Sequence, residues 1–176
     1  IISGGGTGGH IFPALSIADA IKAKHPEAKI LFVGANNRME MQRVPDAGYE
    51  IVGLPIAGFD RKNLLKNIKV LWLILKSQRM AKKIIKEFSP DIVIGTGGYV
   101  CWPSLAAAAS LGIPTIAHEA NAVPGLAIRL LKGKLSLLMT NFESTAKNFA
   151  GAQRTVHVGM PMRGEFEAIS KESARK

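Results

Sequence analysis

Three polar clusters in the sequence have residue types and spacings that suit chemistry. The first is Ser3-Gly4-Gly5-Gly6-Thr7-Gly8-Gly9-His10, where five glycines fill six positions and a histidine closes the run. The second is Gly95-Thr96-Gly97-Gly98-Tyr99, and the third is His118-Glu119-Ala120-Asn121. Glycine-rich turns let a backbone approach a ligand closely, and N–H groups at a following helix start favour an anion, usually a phosphate. Two such turns suggest two phosphates or one diphosphate shared between them. His10 stands at the exit of the first turn, and imidazole is the side chain that exchanges a proton near neutral pH. Glu119 is a second possible base, acting directly or through His118. Tyr99 either contacts a ligand or packs. His25 and His157 read as structural, and Cys101 as a small apolar filler. No His, Cys, Asp or Glu grouping has zinc spacing, and no Ser-His-Asp arrangement is legible.

The elements that must position these clusters follow from periodicity and punctuation. Short apolar runs rich in Ile and Val predict strands over 1–3, 29–33, 50–54, 92–95, 115–118, 135–140 and 155–158. Helical spacing predicts helices over 13–24, 38–47, 64–88, 102–111, 124–131 and 144–149, with Gly48, Gly112 and Gly151 at helix ends. Pro13 is read as a first-turn residue. This alternation predicts a Rossmann-like α/β fold, a parallel sheet with helices on both faces. Ligands of such sheets bind beyond the carboxyl ends of the strands, where all three clusters fall.

Composition narrows the class. The 176 residues are 47% hydrophobic, enough for one domain with a real core. A lone cysteine forbids an intrachain disulfide and suits a reducing cytoplasm. No apolar run reaches membrane-spanning length, and the glycines interrupt any signal peptide at the start. The chain begins without methionine and ends in a polar stretch, which reads as a piece of a longer protein. A net charge of +10 fits nucleic acid or an anionic membrane surface. The spacing Gly4-x-Gly6-x-x-Gly9 satisfies a dinucleotide fingerprint, but such a site needs an acid about 20 residues further on. Gly34-Ala35-Asn36-Asn37-Arg38 supplies none, so a dinucleotide oxidoreductase is disfavoured. A tight turn alone needs one or two glycines.

Four segments carry a resemblance. Gly5-Gly6-Thr7-Gly8-Gly9-His10, Gly97-Gly98-Tyr99-Val100, His118-Glu119-Ala120-Asn121 and Gly159-Met160-Pro161-Met162-Arg163 resemble, in order and spacing, the motifs of the MurG family. These are bacterial enzymes that add N-acetylglucosamine (GlcNAc) from UDP-GlcNAc to lipid I, undecaprenyl-diphospho-N-acetylmuramoyl-pentapeptide, giving lipid II. The resemblance implies the N-terminal, acceptor-binding half of a GT-B glycosyltransferase over 1–163, the start of an interdomain linker over 164–176, and a donor-binding domain outside this chain. It implies inversion, with the muramyl C4 hydroxyl attacking the anomeric carbon. His10 is then the candidate general base and Glu119 the runner-up. Thr7, Gly8, Gly9, Asn121 and Arg163 fall on the donor side. Gly5, Gly6, Gly97, Gly98 and Tyr99 hold the acceptor diphosphate. Ala120 stands where the family usually has glutamine, and Met160 where it usually has asparagine. No resident cofactor and no protein-bound metal are expected, UDP-GlcNAc being a substrate. Expected partners are lipid I, UDP-GlcNAc, the anionic cytoplasmic membrane surface and other cell-wall synthesis proteins, and not nucleic acid. The implied place is the cytoplasmic face of the inner membrane, in peptidoglycan synthesis, cell shape and division. A related glycolipid synthase and a non-catalytic membrane-docking module are the competing readings.

The helix predicted over 64–88 bears on that surface. From Arg61 to Lys86 there are nine Lys or Arg and no Asp or Glu. Val70, Ile74, Ala81, Ile84, Ile85 and Phe88 form a face for the sheet. The opposite face is apolar in its first half, with Leu64, Ile68, Leu71, Trp72 and Leu75. It is basic in its second half, with Arg79, Lys82, Lys83 and Lys86. An apolar patch beside a basic one, with an indole between, is the composition of an interfacial helix. The alternative is that the apolar half packs under the loop 56–59.

Overall fold

The computed structural model describes residues 1–58, 66–149 and 152–162. Leu64, Arg163 and the stretch 164–176 lie outside the described residues. Strands and helices alternate as β1 (Ile2–Gly4), α1 (Gly8–Lys24), β2 (Leu31–Ala35), α2 (Glu40–Asp46) and β3 (Glu50–Leu54). They continue as α3 (Lys66–Phe88), β4 (Val93–Gly97), α4 (Cys101–Ser110), β5 (Thr115–Glu119), α5 (Leu126–Leu130), β6 (Leu135–Thr140), α6 (Glu143–Asn148) and β7 (Ala152–His157). The seven strands form one sheet in the order β3-β2-β1-β4-β5-β6-β7. Every neighbouring pair is parallel.

Alternation along the strands feeds two cores. Phe32 and Ile94 turn to one side, against Ile11, Ala14, Leu15 and Ala18 of α1 and Val44 of α2. Leu31, Val33 and Val93 turn to the other, against Ala81 and Ile85 of α3 and Leu105 of α4. A parallel sheet covered on both faces needs such two-sided apolar strands, which is the fold expected from the sequence. The strand order reverses between β1 and β4, so the crevice above that pair is the topological switch point where ligands of doubly wound sheets bind.

The structure corrects several boundaries. Helix α1 begins at Gly8, five residues before the predicted start, so Pro13 sits in the second turn. Gly8 and Gly9, poor helix formers in isolation, are held in that turn by the chain around them. Likewise α4 begins at Cys101, ahead of Pro103. Strand β7 lies over Ala152–His157, three residues upstream of its predicted start. Helix α3 buries Val70, Ala81 and Ile85 as expected, and it also buries Ser77.

Candidate active site

The two glycine turns meet at the switch point and lock onto each other. Gly4 pairs with Gly97 across β1 and β4. The Thr96 hydroxyl donates to the His10 carbonyl at 2.7 Å, and His10 Nδ1 lies 3.1 Å from the Thr96 carbonyl. A carbonyl can only accept, so Nδ1 carries the proton. The neutral ring therefore presents an unprotonated Nε2, which has no partner among the described residues. The ring fits only because Gly97 has no side chain, since a Cβ there would run into the imidazole. Gly98, at φ +78°, has no room for a Cβ either, which would strike the Gly5 carbonyl oxygen.

Glu40 is the functional neighbour that sequence reasoning missed. Its carboxylate is fully buried beneath the first turn. It accepts from the Gly6 N–H at 3.1 and 3.3 Å and from the Ala35 N–H at 3.0 Å. Gly5 and Gly34 leave the space it fills, because a Cβ on either would overlap it. These contacts change the reading of the turn. The closest approaches to Gly5, Gly97 and Gly98 come from the protein itself, and the Gly6 N–H is already committed. The N–H groups of Gly8 and Gly9, in the first turn of α1, have no intrahelical partner and remain available to a ligand. Glu40 is also the nearest acid after β2, and it is turned into the fold, away from where a dinucleotide ribose would lie.

The third cluster divides between the two faces of the sheet. Adjacent strand residues point to opposite sides, so His118 does not orient Glu119. His118 is fully buried, and its Nε2 lies 2.9 Å from the Gly159 carbonyl, which fixes the proton on Nε2. Burial pushes this imidazole below its ordinary pKa, against the opposing effects of the Gly159 carbonyl and the Glu119 charge. His118 thus ties the 159–162 segment to β5 and offers no accessible base. Glu119 Oε1 accepts from the Asn121 backbone N–H at 2.9 Å and the Asn121 side-chain amide at 2.8 Å. Its Oε2 accepts from the Gly125 N–H at 2.7 Å. Three donors therefore hold Glu119 as the organiser of the loop leading into α5, while Asn121 is exposed at its rim.

A half-enclosed cavity of about 240 Å³ opens beside this site. His10, Gly97, Gly98, Tyr99, Glu119 and Asn121 all line it, so the fold brings one residue set from each of the three clusters to a single place. Thr7 is exposed at the N-cap of α1, and Gly8 and Gly9 follow it. Cys101 is buried, and desolvation pushes its thiol up to about 12, consistent with an inert filler. Among the described residues, no three His, Cys, Asp or Glu side chains are grouped to hold a metal ion.

On α3, Ile68, Leu71, Trp72 and Leu75 are each more than half exposed, so the loop through 56–58 does not cover them. Lys76 lies over the Trp72 ring at 5.2 Å, Arg79, Lys83 and Lys86 are exposed, and Lys82 is half-buried. Lys83 pairs with Glu87 at 3.7 Å. No helix among the described residues is long and apolar enough to cross a membrane.

A doubly wound parallel sheet with paired glycine turns at its switch point, and a histidine of fixed tautomer lining the cavity there, defines a Rossmann-like domain. The particular family is shown by comparison. The chain belongs to glycosyltransferase family 28, whose N-terminal domain model matches residues 1–137. It is 55% identical over 176 residues to a UDP-N-acetylglucosamine--N-acetylmuramyl-(pentapeptide) pyrophosphoryl-undecaprenol N-acetylglucosamine transferase of Phocaeicola vulgatus, covering 99% of this chain and 46% of that protein. A transferase of the same name from Porphyromonas gingivalis is 53% identical over 167 residues, covering 95% of this chain and 44% of that protein. The crystal structure of Acinetobacter baumannii MurG superposes with a TM-score of 0.75 at 31% identity, covering 91% of this chain and 45% of that one. The chain thus spans about half the length of the relatives it matches.

Proposed function

We propose that this chain is the acceptor-binding half of an inverting N-acetylglucosaminyltransferase that converts lipid I to lipid II. The observation that carries the reading is His10, with Nδ1–H held by the Thr96 carbonyl and Nε2 free beside the cavity. In this reading Nε2 takes the proton from the muramyl C4 hydroxyl. The oxygen attacks the anomeric carbon of GlcNAc, and the bond to the UDP oxygen breaks with its electron pair leaving on UDP. General base catalysis of this kind requires a group matched to neutral pH. Thr7, the free N–H groups of Gly8 and Gly9, and Asn121 face the donor, where N–H groups at a helix start stabilise a developing diphosphate charge, and the family resemblance assigns Arg163, outside the described residues, to the same donor. The names of the relatives support this choice of donor and acceptor.

The second part of the reading is peripheral attachment to the cytoplasmic face of the inner membrane through α3, as part of cell-wall synthesis. Exposed Ile68, Leu71, Trp72 and Leu75 supply the apolar contact, and Lys76, Arg79, Lys83 and Lys86 the charge. Each cation near an anionic leaflet contributes about 1 kcal/mol before screening by salt. One assay tests both parts. Full-length protein is expected to transfer GlcNAc to lipid I embedded in phosphatidylglycerol vesicles, with a rate that falls as salt rises. The combined Ile68→Ser, Trp72→Ser and Leu75→Ser variant, folded by circular dichroism, is expected to lose sedimentation with the vesicles and most vesicle transfer. It should keep transfer to a short-chain, water-soluble lipid I. Vesicle binding equal to wild type would overturn the membrane face, and no transfer by the wild type to either acceptor would overturn the enzymatic reading.

A further inference from the structure

Strand β7 leaves the sheet through a turn that is fastened more tightly than its exposure suggests. Val158, Met160 and Met162 are exposed, yet three hydrogen bonds hold the backbone among them. The Val158 and Gly159 N–H groups both donate to the Thr140 carbonyl at the end of β6, at 3.0 and 3.3 Å. The third bond comes from His118 on β5, whose Nε2–H donates to the Gly159 carbonyl at 2.9 Å. Gly159 has φ +76°, in the left-handed region. A Cβ there would meet nothing within 4 Å, so this glycine serves the backbone conformation and not a close approach.

His118 is a costly way to fill its position. It is fully buried, and with the proton on Nε2 its Nδ1 lone pair is buried without a partner. An apolar side chain at that strand position would carry no such penalty. What the imidazole supplies in return is one donor, at the point where the chain turns out of the sheet. The family model that matches is an N-terminal domain, and this chain covers 46% of the Phocaeicola vulgatus relative. In such a relative the second half of the protein follows in sequence from this segment.

We infer that His118 is a positioning residue for the sugar-nucleotide donor. Through the Gly159 carbonyl it fixes the direction in which the chain leaves this domain, and so holds the half that follows in register with Thr7, Gly8, Gly9 and Asn121. The inference rests on the proposed function, in which the donor is shared between this domain and that half. An error in the direction of the turn separates the two sides of a shared site, and misplacement by about 1 Å is enough to weaken it. The cavity beside His10 is lined by residues upstream of the turn, so acceptor binding does not depend on it.

The test is steady-state kinetics on the full-length protein with short-chain lipid I and UDP-GlcNAc. His118→Leu and Gly159→Val are each expected to raise the KM for UDP-GlcNAc about tenfold, and to leave the KM for lipid I within about twofold of wild type. Each has a conservative counterpart expected to stay near wild type. His118→Gln keeps an N–H donor, and Gly159→Asn tolerates a positive φ that a β-branched residue does not. A merely structural role lowers the amount of active enzyme, which reduces kcat and moves neither KM. That result would overturn the inference, as would donor and acceptor KM rising together or counterparts that behave like the disruptive variants. If His118→Leu does not fold, the Gly159 pair carries the test, because the added side chain meets open space. Absence of transfer by the wild type would instead count against the proposed function.

Discussion

Replacing His10 with alanine in the full-length protein is expected to lower kcat by about 100- to 10,000-fold, the range of general acid–base contributions, while leaving acceptor affinity nearly unchanged. The expectation follows from how the residue is held. Its main-chain carbonyl, not its ring, receives the Thr96 hydroxyl, so the clasp between α1 and β4 survives the substitution. What disappears is the Nε2 lone pair beside the cavity; His118 Nδ1, also without a partner, is buried. Thr96 loses only the donor to its carbonyl. Steady-state kinetics with short-chain lipid I give the answer. Activity within about threefold of wild type would reassign the base. Glu119 would be next, though it would have to release some of the three hydrogen bonds that now occupy it.

The second large effect is on stability. Glu40→Ala is expected to destabilise this domain by about 3–5 kcal/mol, from a buried and a half-buried N–H group left without an acceptor and a cavity under the turn. Gly6 and Ala35 lose their partner together, although they belong to different βα turns. At roughly 2–4 °C per kcal/mol for a domain of this size, the unfolding temperature followed by circular dichroism should fall by about 6–20 °C. Glu40→Gln keeps one acceptor oxygen and is expected to fall between. An unfolding temperature within 2 °C of wild type for the alanine variant would mean that Glu40 does not hold the turn. Amide exchange at Gly6 should accelerate in step with the loss.

Much of this was legible from residue order. The parallel α/β fold follows from apolar runs alternating with helical spacing, and β3 and β6 fall within their predicted bounds because Gly48 and Pro55 bracket the first and Lys134 and Asn141 the second. The start of α1 was hidden because Gly8 and Gly9 argue against helix locally, whereas in the structure the His10 and Ile11 N–H groups close the first turn on the Thr7 carbonyl. The role of Glu40 was hidden because a carboxylate after Asn36-Asn37-Arg38 reads as surface. One signal did point to it: Gly34 interrupts an otherwise apolar strand, and a strand glycine often marks a close approach. The separation of His118 from Glu119 was available from the two-residue period of a strand. The tie between His118 and Gly159 has no signature in sequence, since a contact across 41 residues is a property of the fold.

Under the proposed function, this chain builds the acceptor site, and the donor site lies mostly outside it. The most direct measurement is titration calorimetry on the 176-residue chain, with short-chain lipid I and UDP-GlcNAc added separately. Measurable binding of the acceptor, at best weak binding of UDP-GlcNAc, and no transfer when both are present are expected. Micromolar affinity for UDP-GlcNAc with no binding of the acceptor, in a chain shown to be folded, would contradict it.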